Sequence, residues 1–567
     1  MNILGFFSGH DANASIFNDY DRVACIALER ISRIKCDGRK YPLLAVDECL
    51  RQADIAISEI ETICLPRHGW RRFNLKFNEI VKSYFFGSQQ YKCSIINTND
   101  PINIIDLVSF LKSQNLTSVK NHYFFNHHIA HALGALSCVT WEDGLVYTAD
   151  GGGDADYYTA HLLRNGTIQS LFPKKIATAV SEGRDSIGLL YAMVTEELGF
   201  RSLRHEGKVL GLAAFGKPAF ASELIENYFV EDNGYIRGKI NYDLSYRKII
   251  QAYISKYSRE DVAASLQFAL EYLIISSLEK LIIPNKVRNL ALSGGVFANV
   301  KLNQRIQERF QLDQLFVYPA MSDAGLSAGG CLEYLLHRDG TKKWLLNRSI
   351  MKNVYLGLNY SLTSSSYLKN VGCILHNINF VELAAKLLQQ GKILGLYLGR
   401  MEYGPRALGN RTILAQATDR SINNWLNKRL ERTDFMPFAP VVRAERANEI
   451  FDISNSLNYA CKFMTTTVNV RENWKERIPA VVHVDGTARP QIISRDDNPI
   501  YYDIVSAYED LTDIPVLINT SFNAHEEPII NSPADAFRAL SENRVDFLLT
   551  EEGLWSHADR PLKNNHS

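Results

Sequence analysis

The chain has 567 residues, 46% of them hydrophobic and 22% charged, the profile of a soluble globular protein with room for two or three domains. Lys+Arg and Asp+Glu each total 62, so the basic excess that a large nucleic-acid footprint leaves is missing. Nine scattered cysteines without a CxxC pair read as a reduced, cytoplasmic protein, and no apolar run has the length needed to span a bilayer.

The N-terminal stretch MNILGFFSGHDANAS has no basic region and breaks its apolar run at Ser8, which fits neither a signal peptide nor an anchor. Ile3 to Phe7 reads as a buried strand, SGHDANA as a turn, Ser15 to Phe17 as a second strand and Val23 to Leu28 as a third. The pattern turns helical after Tyr41. HGWRRFNLKF, His68 to Phe77, mixes cations with aromatics and reads as a surface helix or loop. Leu145 to Leu163 is strand, glycine turn, strand; Val287 to Ile306 is strand, glycine turn, helix. A boundary is expected near residue 350, giving domains 1–350 and 351–567. Beyond it Lys392 to Arg400, Ile478 to Ala488 and Ile514 to Asn523 read as strand-then-loop units of a second α/β domain.

The chemistry starts at NHHIAHA, residues 126 to 132. On a helix His127 and His131 share one face, while His128 points elsewhere. Two imidazoles at that spacing can grip one metal ion, or they are a histidine-rich turn and nothing more. Asp150 and Asp323 both follow apolar strands beside glycine turns, where an Asp also serves as a simple turn or helix cap. A two-histidine, two-carboxylate site suits iron or zinc. Gly151 and Gly152 in DGGGD, and Gly294 and Gly295 in SGGVFAN before a helix, present unobstructed backbone N–H groups of the kind that hold phosphate. EGKVLGLAAFG places Glu206 and Lys208 beside small residues that let a nucleobase approach. Glycine turns and a histidine pair in one domain point to a nucleotide and metal site of the actin-like ATPase kind.

In order, HDANAS, NHHIAHA, DGGGD, EGKVLGLAAFG, SGGVFAN, SDAGLSAGG, GRMEYGPRALGNR, HVDGTARPQ and NTSFN resemble the O-carbamoyltransferases of the NodU, CmcH and TobZ type, over essentially the whole chain. The resemblance implies an actin-like first domain, similar to the universal tRNA threonylcarbamoyladenosine transferase, and a YrdC-like α/β second domain that makes carbamoyl-adenylate. It implies ATP with Mg²⁺, carbamoyl phosphate and a small hydroxyl-bearing acceptor as substrates, with no nucleic acid or membrane partner. Large α/β enzymes of this size commonly dimerise. The resemblance assigns His127, His131, Asp150 and Asp323 to a metal, Fe²⁺ or Zn²⁺. It gives His10 the acceptor's proton, places Lys35 near the acceptor or phosphate, and assigns Glu206, Lys208, Gly294, Gly295 and Asn299 to the nucleotide. In the second domain Arg432, Arg489, Asn519, Ser521 and Asn523 are expected to hold carbamoyl phosphate and the adenylate.

The chain departs from the family pattern in that second domain. The lysine of KxR is missing from Leu430-Glu431-Arg432, and NTSFNxRGEP reads NTSFNAHEEP, with His525 and Glu526 in place of an arginine and a glycine. A tRNA-modifying relative, and a binding or regulatory protein with an impaired YrdC-like half, are the alternatives to an O-carbamoyltransferase; without the family, a sugar kinase of the actin-like class would compete. The acceptor pocket is expected to draw on distant segments such as Gly69 to Tyr91.

Overall fold

The computed structural model describes residues 1–38, 41–67, 94–96, 116, 119, 121–154, 156–172, 185–239, 244–431 and 438–562. His68–Phe77, the whole of Gly69–Tyr91, and Arg432 lie outside the described residues.

The N-terminal apolar run forms β1 (Asn2–Phe7), which continues antiparallel into β2 (Asn13–Asn18) and β3 (Asp21–Ala27). On the other side of β1 lie β4 (Ile60–Pro66), then β5 (Ser94–Ile96) and β6 (Asn121–Phe125), joined in parallel. The order is β3-β2-β1-β4-β6-β5. A second sheet repeats this plan. The antiparallel meander β7 (Gly144–Gly153), β8 (Asp156–Arg164) and β9 (Thr167–Phe172) is extended beyond β7 by parallel β10 (Asn289–Ser293) and β11 (Gln314–Val317), in the order β11-β10-β7-β8-β9. A three-strand meander whose first strand is flanked by two parallel strands, occurring twice in one chain, is the duplicated arrangement of an actin-like ATPase domain.

Two helices fill the space between the sheets. α1 (His127–Leu136) packs on β7, β8 and β10. Further along come α2 (Glu206–Ala213), α3 (Arg259–Asn285), α4 (Val300–Phe310) and α5 (Leu326–Leu346); α5 packs on β1, β2 and β4, and against α1. The α1–α5 crossing is a backbone contact. A Cβ on Gly329 would stand 2.2 Å from the Ala130 carbonyl oxygen, and one on Gly5 2.2 Å from that of Ser327. Gly329 in α5 therefore lets α1 approach, and Gly5 lets β1 approach.

The C-terminal part forms a mixed sheet from β12 (Ile374–His376), β13 (Leu394–Tyr397), β14 (Arg411–Gln416), β15 (Ala439–Arg443), β16 (Gln491–Ile493), β17 (Val516–Ser521), β18 (Phe547–Thr550) and β19 (Gly553–Ser556). Its order is β12-β19-β18-β13-β14-β17-β15-β16. The strands expected at 392–400 and 514–523 are β13 and β17. The strand expected in Ile478–Ala488 is not formed: Pro479 opens a 3₁₀ turn to Val481, and only Thr487–Ala488 is extended. Proline removes a ladder donor, and Asp485 turns the chain by accepting from Thr487 N at 3.1 Å and Oγ1 at 2.6 Å. Arginines tie this sheet to the first part: Arg33 donates to the Ile529 and Pro528 carbonyls at 2.6 and 2.9 Å, Arg30 to Gly404 O at 2.8 Å, and Arg400 to Val23 O at 2.7 Å.

Among the described residues no helix is long and apolar enough to cross a membrane. Because the α1–α5 contact leaves no room for a methyl group, Gly329→Ala is expected to cost about 1–3 kcal/mol of stability through overpacking. A thermal denaturation curve followed by circular dichroism reads the result; an unchanged midpoint would show that the crossing is loose.

Candidate functional site

NHHIAHA forms the first turns of α1. Asn126 caps it, its side-chain oxygen accepting from Ile129 N at 3.0 Å, and the small residues that follow suit a buried helix. His127 and His131 lie on one face with ring centroids 4.9 Å apart. Asp150, on β7, and Asp323, six residues after β11, approach them. His127 Nε2 is 3.5 Å from Asp323 Oδ1, and His131 Nε2 is 3.5 Å from Asp150 Oδ2 and 3.6 Å from Asp323 Oδ1. One donor atom from each of the four side chains lies within 4.8 Å of all the others. Both Nε2 atoms are buried without a hydrogen-bond partner.

Orphaned imidazole nitrogens facing two carboxylates in a buried place are what a divalent cation requires, so this donor set fits iron or zinc. The charge balance agrees. Burial pushes the Asp323 carboxyl up to about 7, against the pull of His127. Burial also pushes the His131 imidazole down, which keeps it neutral and able to donate a lone pair. Burial would raise Asp150 too, but His131, His127 and the Gly295 N–H together hold it below the ordinary value.

The surroundings fix the ligands. Ser293 Oγ lies 3.4 Å from His131 Nδ1, and Asp154 accepts from His127 N at 2.8 Å. Gly153 is packed under the His127 ring, where a Cβ would sit 2.1 Å from Cγ. His128 is turned away, with Thr148 Oγ1 at 2.8 Å from Nδ1 and Asp156 O at 3.0 Å from Nε2. The glycine turns converge on the same place. Gly295 N donates to Asp150 Oδ2 at 2.6 Å and Gly152 N to Oδ1 at 3.5 Å, while Gly294 at φ +102° lets β10 turn against Ala149. Here these amides cradle a carboxylate. A Cβ on Gly151 would meet Leu189 at 3.6 Å, and Ser186 Oγ donates to the Gly151 carbonyl at 2.9 Å.

His10, just past β1, sits beside this cluster. A carbonyl only accepts, so the 3.1 Å contact to Leu203 O places a proton on His10 Nε2, and Nδ1 lies 3.5 Å from Asp11 Oδ2. Glu206 accepts from Leu203 N at 2.6 Å, and burial raises its carboxyl. Asn299 caps α4 through Leu302 N at 3.1 Å and also holds Gln267 at 2.8 Å.

Lys208 Nζ lies 3.5 Å from His525 Nε2, and Glu526 pairs with His205 at 2.5 Å and Arg201 at 3.0 Å, so the NAHEEP loop meets the start of α2. Lys35 faces the same Glu526 carboxylate and contributes to holding it ionised. Glu526 has φ +61°, a conformation natural to the glycine of the family pattern.

In the C-terminal sheet Asn519 is buried, donating to Gln491 Oε1 at 2.6 Å and Ala407 O at 3.1 Å. Ser521 ends the same strand, and Asn523 Nδ2 donates to Glu527 O at 2.6 Å. Arg489 faces Arg406. Burial pushes the Arg406 guanidinium down to about 10, and burial together with Arg406 pushes Arg489 well below its usual value. A like charge disfavours the charged form of its neighbour. Arg406 was visible in GPRALGNR without an assigned task. Ser293 and Glu333 were not singled out from the sequence. Glu333 carries no sequence signal at all, yet its carboxylate accepts from Asn126 N at 2.9 Å and Tyr123 OH at 3.2 Å, anchoring the start of α1.

Comparison with known proteins gives this arrangement its family. The Carbamoyltransferase N-terminus family matches residues 2–332 and the Carbamoyltransferase C-terminus family residues 385–557. The chain belongs to the carbamoyltransferase family and is an enzyme of that kind. It is 32% identical over 560 residues to the nodulation protein NolNO of Sinorhizobium fredii, covering 95% of this chain and 78% of NolNO. It is 31% identical over 569 residues to an uncharacterized protein of Methanocaldococcus jannaschii, covering 96% and 98%. Among solved structures, HypF of T. kodakarensis aligns over 61% of this chain and 49% of its own, at 13% identity and a TM-score of 0.34. The actin-like architecture rests instead on the repeated strand order.

Burial raises Glu333 to about 8, so its folded value lies above its unfolded one. Its contribution to stability is then complete below the unfolded value near 4.5 and is lost as pH rises through about 8. Stability should fall across that window with a limiting slope of about 1.4 kcal/mol per pH unit. Glu333→Gln should flatten the curve. Denaturant midpoints measured from pH 5 to 8.5 decide it, and parallel curves for the two proteins would refute the assignment.

Proposed function

We propose that this carbamoyltransferase moves the carbamoyl group of carbamoyl phosphate, by way of carbamoyl-adenylate made with ATP and Mg²⁺, to a hydroxyl of a small natural product or sugar. The observation that carries the reading is the pair of unpartnered imidazole nitrogens facing Asp150 and Asp323, with the His10 imidazole nearby.

In this reading Arg406 and Arg489 receive the phosphates, with Arg432, Asn519, Ser521 and Asn523 assigned to the same pocket by resemblance. A divalent cation held by His127, His131, Asp150 and Asp323 would supply positive charge where the carbamoyl oxygen becomes an oxyanion. Glu206, Lys208, Gly294, Gly295 and Asn299 line the path of the nucleotide, and Gly151 and Gly152 leave its edge open. His10 Nδ1 takes the proton of the acceptor hydroxyl, while the Leu203 carbonyl holds its Nε2–H and so fixes the tautomer. Lys35 contributes charge at the same mouth.

A second reading follows from one feature. Where the family pattern has an arginine and a glycine, Glu526 forms ion pairs with His205 and Arg201. The chain would then receive a carbamoyl-adenylate formed elsewhere.

Purified protein with ATP, Mg²⁺, Fe²⁺ and carbamoyl phosphate, without acceptor, separates the two by mass spectrometry. Carbamoyl-adenylate, AMP and pyrophosphate are the expected products; their absence, with ATP still bound, favours the second reading. His131→Ala is expected to lose bound metal and carbamoyl transfer while keeping its circular dichroism spectrum. Metal analysis after dialysis checks it, and transfer retained without metal would remove the metal from the reaction.

A further inference from the structure

Beside the four-ligand cluster, three side chains of different donor type converge. His10, Asp11 and Cys36 each offer a donor atom within 4.8 Å of the other two. The loop after β1 supplies His10 and Asp11, and the turn after the helix Leu28–Ser32 supplies Cys36. Asp11 at φ +59° and Cys36 at φ +54° both hold a backbone conformation that ordinary residues avoid. The two loops are pressed together: a Cβ on Gly38 would stand 2.4 Å from Gly9 O, and Ala12 N donates to Asp37 O at 2.9 Å.

His10 and Asp11 are oriented from behind, and Cys36 Sγ–H faces the Leu203 carbonyl at 3.8 Å. His10 Nε2–H donates to Leu203 O at 3.1 Å and turns Nδ1 toward Asp11 Oδ2 at 3.5 Å. Ser322 Oγ–H donates to that same carboxylate at 3.2 Å, and Cys36 N–H donates to Glu29 Oε2 at 2.8 Å. A ring N–H given to a carbonyl, with the opposite nitrogen facing the other donors, is the support that metal-bound histidines show. Cys36 is partly exposed, whereas the other cysteines among the described residues are buried. The place is also rich in acid. Burial raises Asp11, and burial, Asp11 and Glu29 together push the Cys36 thiol up. A cation would relieve that crowding by replacing protons.

We propose that His10 Nδ1, an Asp11 carboxylate oxygen and Cys36 Sγ form a second cation site, selective for a thiophilic divalent ion of the zinc class. The His127 cluster contains no thiol, so the two sites differ in ligand softness. On loading, the Sγ–H bond breaks, its proton passes to solvent and the sulfur lone pair bonds the ion. One consequence rests on the function proposed above: an ion on Nδ1 takes the lone pair that would accept the acceptor's proton, so this site, when filled, arrests transfer.

Co²⁺ is the probe, because a thiolate bonded to it adds a near-ultraviolet charge-transfer band that histidine and carboxylate ligands do not produce. Titrating the full-length, reduced protein should show two equivalents bound, with the band growing in with one of them. Cys36→Ser should lose the band and keep one equivalent. Cys36→His should keep both equivalents without the band. Absence of the band from the wild-type protein, or its survival at full intensity in Cys36→Ser, overturns the proposal. The readout needs no turnover: an enzyme without carbamoyl transfer can still show the band, and one that transfers can lack it.

Discussion

The constraint on which the first part of the molecule depends is electrostatic. Two imidazoles and two carboxylates are gathered in a buried space, with the reactive faces of His127 and His131 left unpaired. Burying such groups is costly unless something compensates them. The fold resists their separation with close backbone contacts. Gly329 allows α1 to touch α5, Gly153 allows β7 to pass beneath His127, and Gly294 allows β10 to turn beside Ala149. None of these glycines touches a ligand through a side chain. Each removes a Cβ that would push one ligand-bearing element away from the rest.

The duplicated sheets explain why the chemistry collects where it does. His10 follows β1, His127 follows β6, Asp150 lies toward the end of β7, Gly294 follows β10 and Asp323 follows β11. In a sheet with parallel central strands, the carboxyl ends leave a crevice that backbone hydrogen bonding does not fill. Two such sheets face each other across α1 and α5, so the crevices of both meet. A short strand-to-loop step in each half then places a polar residue at the same opening, without any long-range excursion of the chain.

Much of this was legible in the sequence, for definable reasons. Apolar runs ended by glycine or Ser-Gly marked β1, β7 and β10, and the four-residue spacing of His127 and His131 fixed their common face once a helix was assumed. Residues 478–488 misled because their apolar content resembles a strand, while Pro479 and Asp485 impose turns that outweigh it. Glu333 and Ser293 were invisible as site residues because their importance comes from packing across 162 to 207 positions of sequence. The glycine turns were read as phosphate cradles, a sound inference about N–H density. It could not reveal that the Gly295 and Gly152 amides are directed at Asp150 in this structure.

The altered loop at His525 and Glu526 gains a physical account from its neighbours. In space, Glu526 faces His205, Arg201 and Lys35, all from the first part of the chain, and His525 faces Lys208. Its negative charge is therefore balanced across the boundary between the two parts. Burial and the Arg406 charge together push the Arg489 guanidinium well below its usual value. Glu526 instead forms an electrostatic tie between the two parts of the chain.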